Sequence, residues 1–239
     1  RFAEALTPRT RLILVSHVVF LSGRVLPVRE IVRLGRERDI PVIVDGAHAF
    51  ANLVFQRDEL ECDYYGTSLH KWLFAPHGTG MLCVRRERIG GLWPLMAAGA
   101  ERVDDIRKFE EIGTHPAAGY VAVGEALAFH RALGAERKAA RLAWLRDLWF
   151  ERLAAGGRAH LASVREPGRS CGFATVRFDG LDSLALREHL WRDHRILTTA
   201  IDHADVQGLR VSPSVYTLPE ELDRFCTVVE RALQRGLPG

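Results

Sequence analysis

The feature that most restricts the fold is a strand–helix–strand pattern near the start of the chain. Residues 11–16 form an apolar run after a turn, and residues 29–39 carry apolar side chains at helical spacing. A second apolar run then ends at Asp45 and Gly46. Two strands joined by a helix run parallel in one sheet, because only a long crossover can return the chain in the same direction. The pattern predicts an α/β fold with a mostly parallel sheet.

The rest of the chain predicts two further strands, two long helices and a smaller α+β region. We expect one domain over residues 1–145 and a second over residues 146–239. The terminal helix is signalled by Pro219 at its start and Gly236 at its end. The remaining predicted elements are strands 62–68 and 80–86, helices 116–133 and 135–155, strand 169–180, helix 183–194 and strands 196–202 and 209–216.

Composition excludes several classes of protein. Hydrophobic residues make up 47% and charged residues 26% of the chain, a balance typical of globular proteins. No run of 18 apolar residues is present, so we expect no membrane-spanning helix. The net charge of +3 comes without a basic block, which argues against nucleic-acid binding. The four cysteines show no C-x-x-C spacing, which favours reduced thiols and a cytoplasmic location.

Lysine is rare in this chain, which makes the position of each one informative. Of the 33 Lys and Arg residues only Lys71, Lys108 and Lys138 are lysines. Lys71 is flanked by aromatic and apolar residues, where an ammonium group loses hydration and the amine becomes a usable nucleophile. Asp45 lies at the carboxyl end of a predicted parallel strand, which is where α/β sheets place ligand-binding groups, and a buried carboxylate there would need a cationic partner. Taken singly, Lys71 also fits a surface lysine and Asp45 a turn residue.

Two motifs together are far more specific than any single residue. The segments VDGAHAF and SLHKWLFAPHGTGML resemble the fold-type I pyridoxal 5′-phosphate (PLP) enzymes of the class V aminotransferase family. Within that family they look most like the isopenicillin N epimerase-like branch. The resemblance covers essentially the whole chain. It implies the C-terminal part of a PLP-binding large domain, with helices on both faces of its sheet, plus a small α+β domain. The leading third to half of a typical member is expected to lie outside the chain.

The resemblance assigns roles to residues of the first predicted domain. Lys71 would form the Schiff base with PLP and move the substrate's Cα proton. Asp45 matches the acidic partner of the pyridinium nitrogen, and His48 matches the position that reaches the phenolic oxygen. Ser68 and His70 match donors to the phosphate.

Two further matches concern the neighbouring subunit and the substrate. Thr114 matches a threonine that reaches the phosphate of the other subunit, which implies a homodimer with shared active sites. The resemblance also implies that Arg210 is the clamp for the carboxylate of an amino-acid substrate. Its planar fork suits bidentate binding. Without the context VSPSVYTLPEEL, Arg210 would fit an ordinary surface arginine.

Two departures separate the chain from cysteine desulfurases. Residues 198–208 contain no cysteine where desulfurases of this family carry their nucleophile, and Phe20 stands at the position of their asparagine. Cys171 and Cys226 are expected to be core residues, so a persulfide mechanism is disfavoured. The alternatives are an aminotransferase or a cysteine or selenocysteine lyase without a cysteine nucleophile, and a catalytically silent fragment. A metal site of His70, His77 and His115 matches no common ligand pattern, so no metal is expected.

Overall fold

The computed structural model describes residues 1–162 and 164–238, and the chain divides into two compact units. The first comprises Arg1–His17, Pro27–Phe50 and Phe55–Ala132. The second comprises Val18–Leu26, Ala51–Val54 and the chain from Leu133 onward. The boundary predicted after residue 145 falls inside a helix of the second unit, and the division into domains 1–145 and 146–239 stays a prediction.

The first unit contains a four-stranded sheet in the order in which its strands follow one another along the chain. Strands β1 (Ile13–Ser16), β2 (Val42–Asp45) and β3 (Tyr64–Ser68) are parallel, and β4 (Gly80–Val84) is antiparallel to β3. Helix α2 (Val28–Arg36) is the crossover between β1 and β2. The predicted α/β class with a mostly parallel sheet is confirmed. Because β1, β2 and β3 are parallel, their carboxyl ends lie at one edge of the sheet.

The other helices of the first unit are mostly short. The predicted helix 116–133 is divided at Ala122, although backbone hydrogen bonds continue across that residue to Ala118 and Ala126 at 3.0 and 3.2 Å. The sequence did not predict the first helix, α1. The other short helices of this unit are α3, α4 and four 3-10 helices. Their bounds are α1 Phe2–Ala5, α3 Ala118–Val121 and α4 Val123–Leu133, and Arg57–Leu60, Arg86–Arg88, Ala100–Arg102 and Ile106–Glu110.

The second unit is an antiparallel sheet with helices, as predicted for an α+β region. Its strands are β5 (Ala159–Leu161), β6 (Ala174–Phe178), β7 (Thr199–His203) and β8 (Val206–Val211), in the order β5-β6-β8-β7. The short β5 was not predicted. The predicted strand 209–216 is wrong after Val211, because Pro213 lacks the N–H that a ladder requires.

Three helices complete the core of the second unit. They are α5 (Ala135–Ala154), α6 (Ser183–His194) and α7 (Pro219–Arg235). Trp149, Leu190 and Phe225, one from each helix, are at most 2% exposed and belong to a single apolar cluster with residues of β6 and β8. No helix within the described parts of the chain is long and apolar enough to cross a membrane.

Candidate active site

Asp45 is the last residue of β2, and its side chain is turned back onto the following turn. One carboxylate oxygen, Oδ1, accepts a hydrogen bond from the backbone N–H of Ala47 at 2.9 Å. The residue is exposed, and this hydrogen bond fits the alternative in which Asp45 starts a turn. Its backbone carbonyl accepts from the N–H of His17 at 2.8 Å, and its Cα is paired with Gly66 of β3. Asp45 therefore presents an exposed carboxylate at the carboxyl edge of the parallel strands.

His48 and Lys71 come together at this edge although 23 positions separate them in the sequence. The Nζ atom of Lys71 lies 3.3 Å from Nε2 of His48, and both side chains are half-buried. His48 belongs to a turn closed by bonds from the N–H groups of Ala49 and Phe50 to the carbonyl of Gly46, each 2.9 Å. The turn after β2 thus brings an imidazole to the lysine that follows β3.

The segment that carries Lys71 connects β3 to β4. The N–H of Ala75 donates to the carbonyl of Leu69 at 3.2 Å, and the N–H of Leu69 donates to the carbonyl of Thr79 at 3.1 Å. Phe74 has a φ of +65°, a left-handed conformation that is uncommon for a bulky residue. These constraints hold a tight connection in which Lys71 is half-buried.

Ser68 and His70 lie on the same connection as Lys71. Ser68 is the last residue of β3, and His70 follows in the turn, with Nδ1 3.4 Å from the carbonyl oxygen of Thr79. The His70 and His77 rings stack with their centroids 5.7 Å apart. Both predicted phosphate donors therefore share the segment of the lysine, and their role toward a phosphate stays a prediction.

Thr114 lies in the segment between the last 3-10 helix and α3, and it is exposed. Its neighbour His115 packs edge-on against Tyr120, with ring centroids 5.2 Å apart. The expected contact of Thr114 with a second subunit stays a prediction. Within the described ranges, no group of three His, Cys, Asp or Glu side chains could hold a metal ion.

Arg210 belongs to β8 in the second unit, where it is partly desolvated. Its Nη1 donates to the carbonyl oxygen of Phe20 at 3.0 Å, and its guanidinium carbon lies 5.6 Å from the centre of the Phe173 ring. The buried Nε has no hydrogen-bond partner among residues 1–162 and 164–238. Burial lowers the pKa of Arg210 below its usual range. The planar fork of a guanidinium group is suited to a carboxylate.

The four cysteines differ in exposure. Cys62, Cys171 and Cys226 are buried and Cys83 is half-buried. Burial raises the pKa of both the Cys171 and the Cys226 thiol to about 12. Cys171 and Cys226 are 2% and 1% exposed, which confirms them as core residues.

One contributor to the site was missed by reading the sequence. Trp72 is 9% exposed, and its indole Nε1 lies 3.5 Å from Nδ1 of His48. The only available signal was its position directly after Lys71, which fits ordinary packing equally well. Its contact with His48 depends on how two connections of the sheet approach each other.

The fold and this cluster describe an α/β protein with a lysine–imidazole pair at the carboxyl edge of its parallel strands. The family model for aminotransferase class V matches residues 1–225. The chain belongs to the class V aminotransferase family, a family of enzymes.

Relatives identify the branch of the family. The chain is 32% identical to the isopenicillin N epimerases of Streptomyces clavuligerus, over 243 residues, and of Amycolatopsis lactamdurans, over 242 residues. Each alignment covers 95% of this chain and 61% of the relative. A probable cysteine desulfurase of Xylella fastidiosa (strain Temecula1 / ATCC 700964) is 27% identical, and the alignment covers 94% of this chain and 57% of that relative. The epimerase-like resemblance is confirmed, and the chain spans about three fifths of the length of these relatives.

Solved structures support the fold. The cystine C–S lyase C-DES, in complex with its reaction product cysteine persulfide, matches with a TM-score of 0.82 and 26% identity. The match covers 95% of this chain and 62% of that one. A C-DES mutant with glycine covalently linked to its PLP cofactor gives a TM-score of 0.81 at 25% identity, over 95% and 62% of the two chains. The cysteine desulfurase of Thermococcus onnurineus NA1 has a TM-score of 0.81 at 21% identity, over 94% and 60%.

Proposed function

We propose that this chain carries the cofactor-linking lysine of a PLP-dependent, isopenicillin N epimerase-like enzyme that acts at the Cα atom of an amino acid. The observation that carries the proposal is the 3.3 Å contact between Lys71 Nζ and His48 Nε2 at the carboxyl edge of the sheet. In an open α/β sheet this edge is where ligands bind. Asp45 and Ser68, the last residues of β2 and β3, belong to the same edge.

The residues at this edge fit the polar groups of PLP. Lys71 supplies the amine for the covalent link, and its side chain is half-buried at this edge. The exposed Asp45 supplies a carboxylate for the pyridinium nitrogen, and His48 supplies a donor for the phenolic oxygen. Ser68 and His70 supply a hydroxyl and an imidazole for the phosphate, which accepts hydrogen bonds on several oxygens.

Lys71, Asp45 and Arg210 each have a separate role in the proposed reaction. Bound PLP withdraws electrons from the substrate's Cα and so makes the Cα proton acidic. Lys71, as a neutral amine, accepts that proton on Nζ and returns it. Asp45 holds a proton at the ring nitrogen through its negative charge. Arg210 binds the carboxylate of the amino acid through the fork of its half-buried guanidinium group.

We further propose that the enzyme is a homodimer in which Thr114 of one subunit binds the phosphate held by the other. The exposure of Thr114 on an irregular segment leaves its hydroxyl available to a second chain.

A second candidate reaction is elimination of sulfur from a cysteine-like substrate. The match to the C–S lyase C-DES favours it, and so does the lack of a cysteine in the β7–β8 hairpin, where a persulfide mechanism would need one. Cys171 and Cys226 cannot substitute, because their buried thiols have pKa values of about 12. A lyase of this kind would expel the sulfur group directly from the substrate.

The first experiment tests the covalent link. The protein is incubated with PLP, reduced with borohydride and digested, and the modified peptide is identified by mass spectrometry. We expect a pyridoxyl group on Lys71 and none on Lys108 or Lys138, which are 3% and 2% exposed. The Lys71→Ala variant should carry no adduct. An adduct absent from Lys71 in this chain and in any longer product of its gene would overturn the proposal.

The second experiment separates the reactions. Loaded protein is incubated in D₂O with single L-amino acids, and loss of the Cα–H signal is followed by proton NMR. Epimerisation gives exchange together with the D-enantiomer on chiral chromatography, whereas elimination with hydrolysis gives pyruvate, ammonia and sulfide from L-cysteine. Lys71→Ala should show neither. If no amino acid exchanged its Cα proton, chemistry at Cα would be refuted.

A further inference from the structure

One imidazole ring contacts two consecutive residues of the connection after β3. His48 faces Trp72 Nε1 with its Nδ1 at 3.5 Å, and Lys71 Nζ with its Nε2 at 3.3 Å. An indole N–H can only donate, so Nδ1 of His48 must accept from Trp72. In a neutral imidazole that leaves the proton on Nε2, the atom that faces Lys71.

We propose that Trp72 is a positioning residue that holds His48 in the Nε2–H tautomer, so that the imidazole donates a hydrogen bond to the Lys71 amine. An ammonium group has three donors and no lone pair, so Nε2–H facing it would set one donor against another. The arrangement therefore favours the neutral amine, which is the nucleophilic form of lysine. In the loaded enzyme the same Nε2–H would donate to the phenolic oxygen of PLP, and only this last step rests on the proposed function.

The backbone holds both Trp72 and His48 in place. The Trp72 ring is buried beside Leu73, which is 1% exposed, in the connection closed by the bond from Ala75 N to the Leu69 carbonyl. His48 is fixed from the other side by the turn on Gly46. Because neither residue lies on a long free loop, the Trp72–His48 contact can select a tautomer.

The tautomer can be measured in the protein without cofactor. Histidine is labelled with ¹⁵N, and long-range ¹H–¹⁵N spectra distinguish the protonated from the bare ring nitrogen. His48 is assigned among the ten histidines by its loss in His48→Gln. We expect His48 of the wild-type protein to carry its proton on Nε2. This measurement does not depend on any Trp72 variant. A wild-type His48 protonated at Nδ1 would overturn the proposal.

The variant Trp72→Phe tests the cause. It keeps an aromatic ring in the buried position but removes the N–H, so we expect a mixture of both tautomers at His48. The matched control is Trp191→Phe, since Trp191 lies on α6 in the second unit with 48% of its surface exposed. A folded Trp72→Phe protein with an unchanged tautomer would refute the positioning role.

Labelling of Lys71 provides a readout that depends on the amine. Competitive acetylation with a trace of acetic anhydride at fixed pH measures the rate at each lysine. Loss of one hydrogen bond in Trp72→Phe should slow Lys71 by roughly twofold to tenfold. His48→Asn keeps an acceptor near Trp72 but loses the donor near Lys71, whereas His48→Gln keeps a donor near Lys71. The acetylation rate of Lys71 should therefore fall more in His48→Asn than in His48→Gln. Equal rates at Lys71 in the wild type, Trp72→Phe and both His48 variants would contradict the inference.

Neither measurement uses PLP, so the two proposals can fail separately. If Lys71 forms no adduct with PLP while His48 keeps the Nε2–H tautomer, the proposed function falls and the role of Trp72 stands. The reverse result, an adduct on Lys71 with His48 protonated at Nδ1, would leave the function and remove the positioning role.

Discussion

The backbone of Gly46 lies against the phenol of Tyr65 so closely that a Cβ atom at Gly46 would overlap with the hydroxyl and ring carbons. Tyr65 is 1% exposed on β3, and its hydroxyl has no partner among the residues that the structure describes. Burial raises the pKa of Tyr65, and the Asp45 charge adds to the shift. Gly46 directly follows Asp45, so this packing sets the path of the chain from β2 toward His48.

Replacing Gly46 by alanine should therefore destabilise the protein. A buried aromatic ring cannot move aside without disturbing its neighbours, and overpacking of this kind costs about 1–3 kcal/mol in the free energy of unfolding. Urea denaturation measures the loss. Gly66→Ala is the matched control, because Gly66 is the register partner of Asp45 and a Cβ there meets no atom within 4 Å. Equal stability of the two variants would show that the Gly46–Tyr65 contact does not constrain the turn.

His17, at the carboxyl end of β1, should make stability depend on pH. Burial lowers its pKa from 6.5 to about 4, and its ring packs edge-on against Phe55 with centroids 4.8 Å apart. Below pH 6.5 the unfolded chain binds a proton that folded His17 does not bind until the pH reaches about 4. The free energy of unfolding should thus fall by up to about 3 kcal/mol as the pH drops through this window, with no contribution from His17 above it.

Urea unfolding at several pH values between 4 and 7 tests this expectation. His17→Phe removes the titrating group and keeps a flat ring beside Phe55, so its stability should fall less steeply with acid than that of the wild type. His203→Gln, at an exposed position of β7, should leave the slope unchanged. Parallel pH profiles for wild type and His17→Phe would mean that His17 titrates normally in the folded protein.

Thiol reactivity should separate Cys83 from the two cysteines of the second unit. With pKa values of about 12, Cys171 and Cys226 carry about one thiolate in 10⁴ molecules at pH 8. In Ellman's assay on folded protein we expect Cys83, which is half-buried, to react well before Cys171 and Cys226. Cys83→Ser should remove that early phase. Early reaction of Cys226 or Cys171 would revive a cysteine nucleophile.

Elements with agreeing local signals could be predicted from the sequence. Helix α6 has the predicted bounds, because Asp182 caps it by accepting from the N–H of Ala185 at 2.8 Å and the apolar spacing starts at the same place. The parallel pairing of β1 with β2 also followed from local patterns. In contrast, β5 is a three-residue strand that contains His160, and so short a polar strand has no periodicity to detect.

The site was predicted as a set of residues but not as a geometry. The motif match located Asp45, His48 and Lys71, and the structure brings His48 to Lys71. The sequence left open whether Asp45 is buried or starts a turn, because a strand end fixes the position of a carboxylate but not what covers it, and the structure shows the turn. The contact of Trp72 with His48 joins residues 24 positions apart, and no local rule encodes such a contact.

Arg210 provides the sharpest test of how the proposed enzyme would recognise its substrate. Its Nη1 is used by the Phe20 carbonyl, while its buried Nε has no partner among the described residues. Lysine lacks the planar fork, so it could not hold a carboxylate with two N–H groups as the guanidinium group can. In PLP-loaded protein, Arg210→Lys should weaken binding of L-alanine about tenfold to a hundredfold.

The amide of the same amino acid separates carboxylate recognition from a general effect on the fold. L-alaninamide keeps the amino group and Cα but carries no negative charge, so its affinity should be unchanged in Arg210→Lys. Both ligands are titrated by the change in cofactor absorbance. Arg177→Lys, at an exposed arginine of β6, should leave both affinities at the wild-type value. If Arg210→Lys weakened both ligands equally, Arg210 would act through the structure of the second unit and not through the substrate's carboxylate.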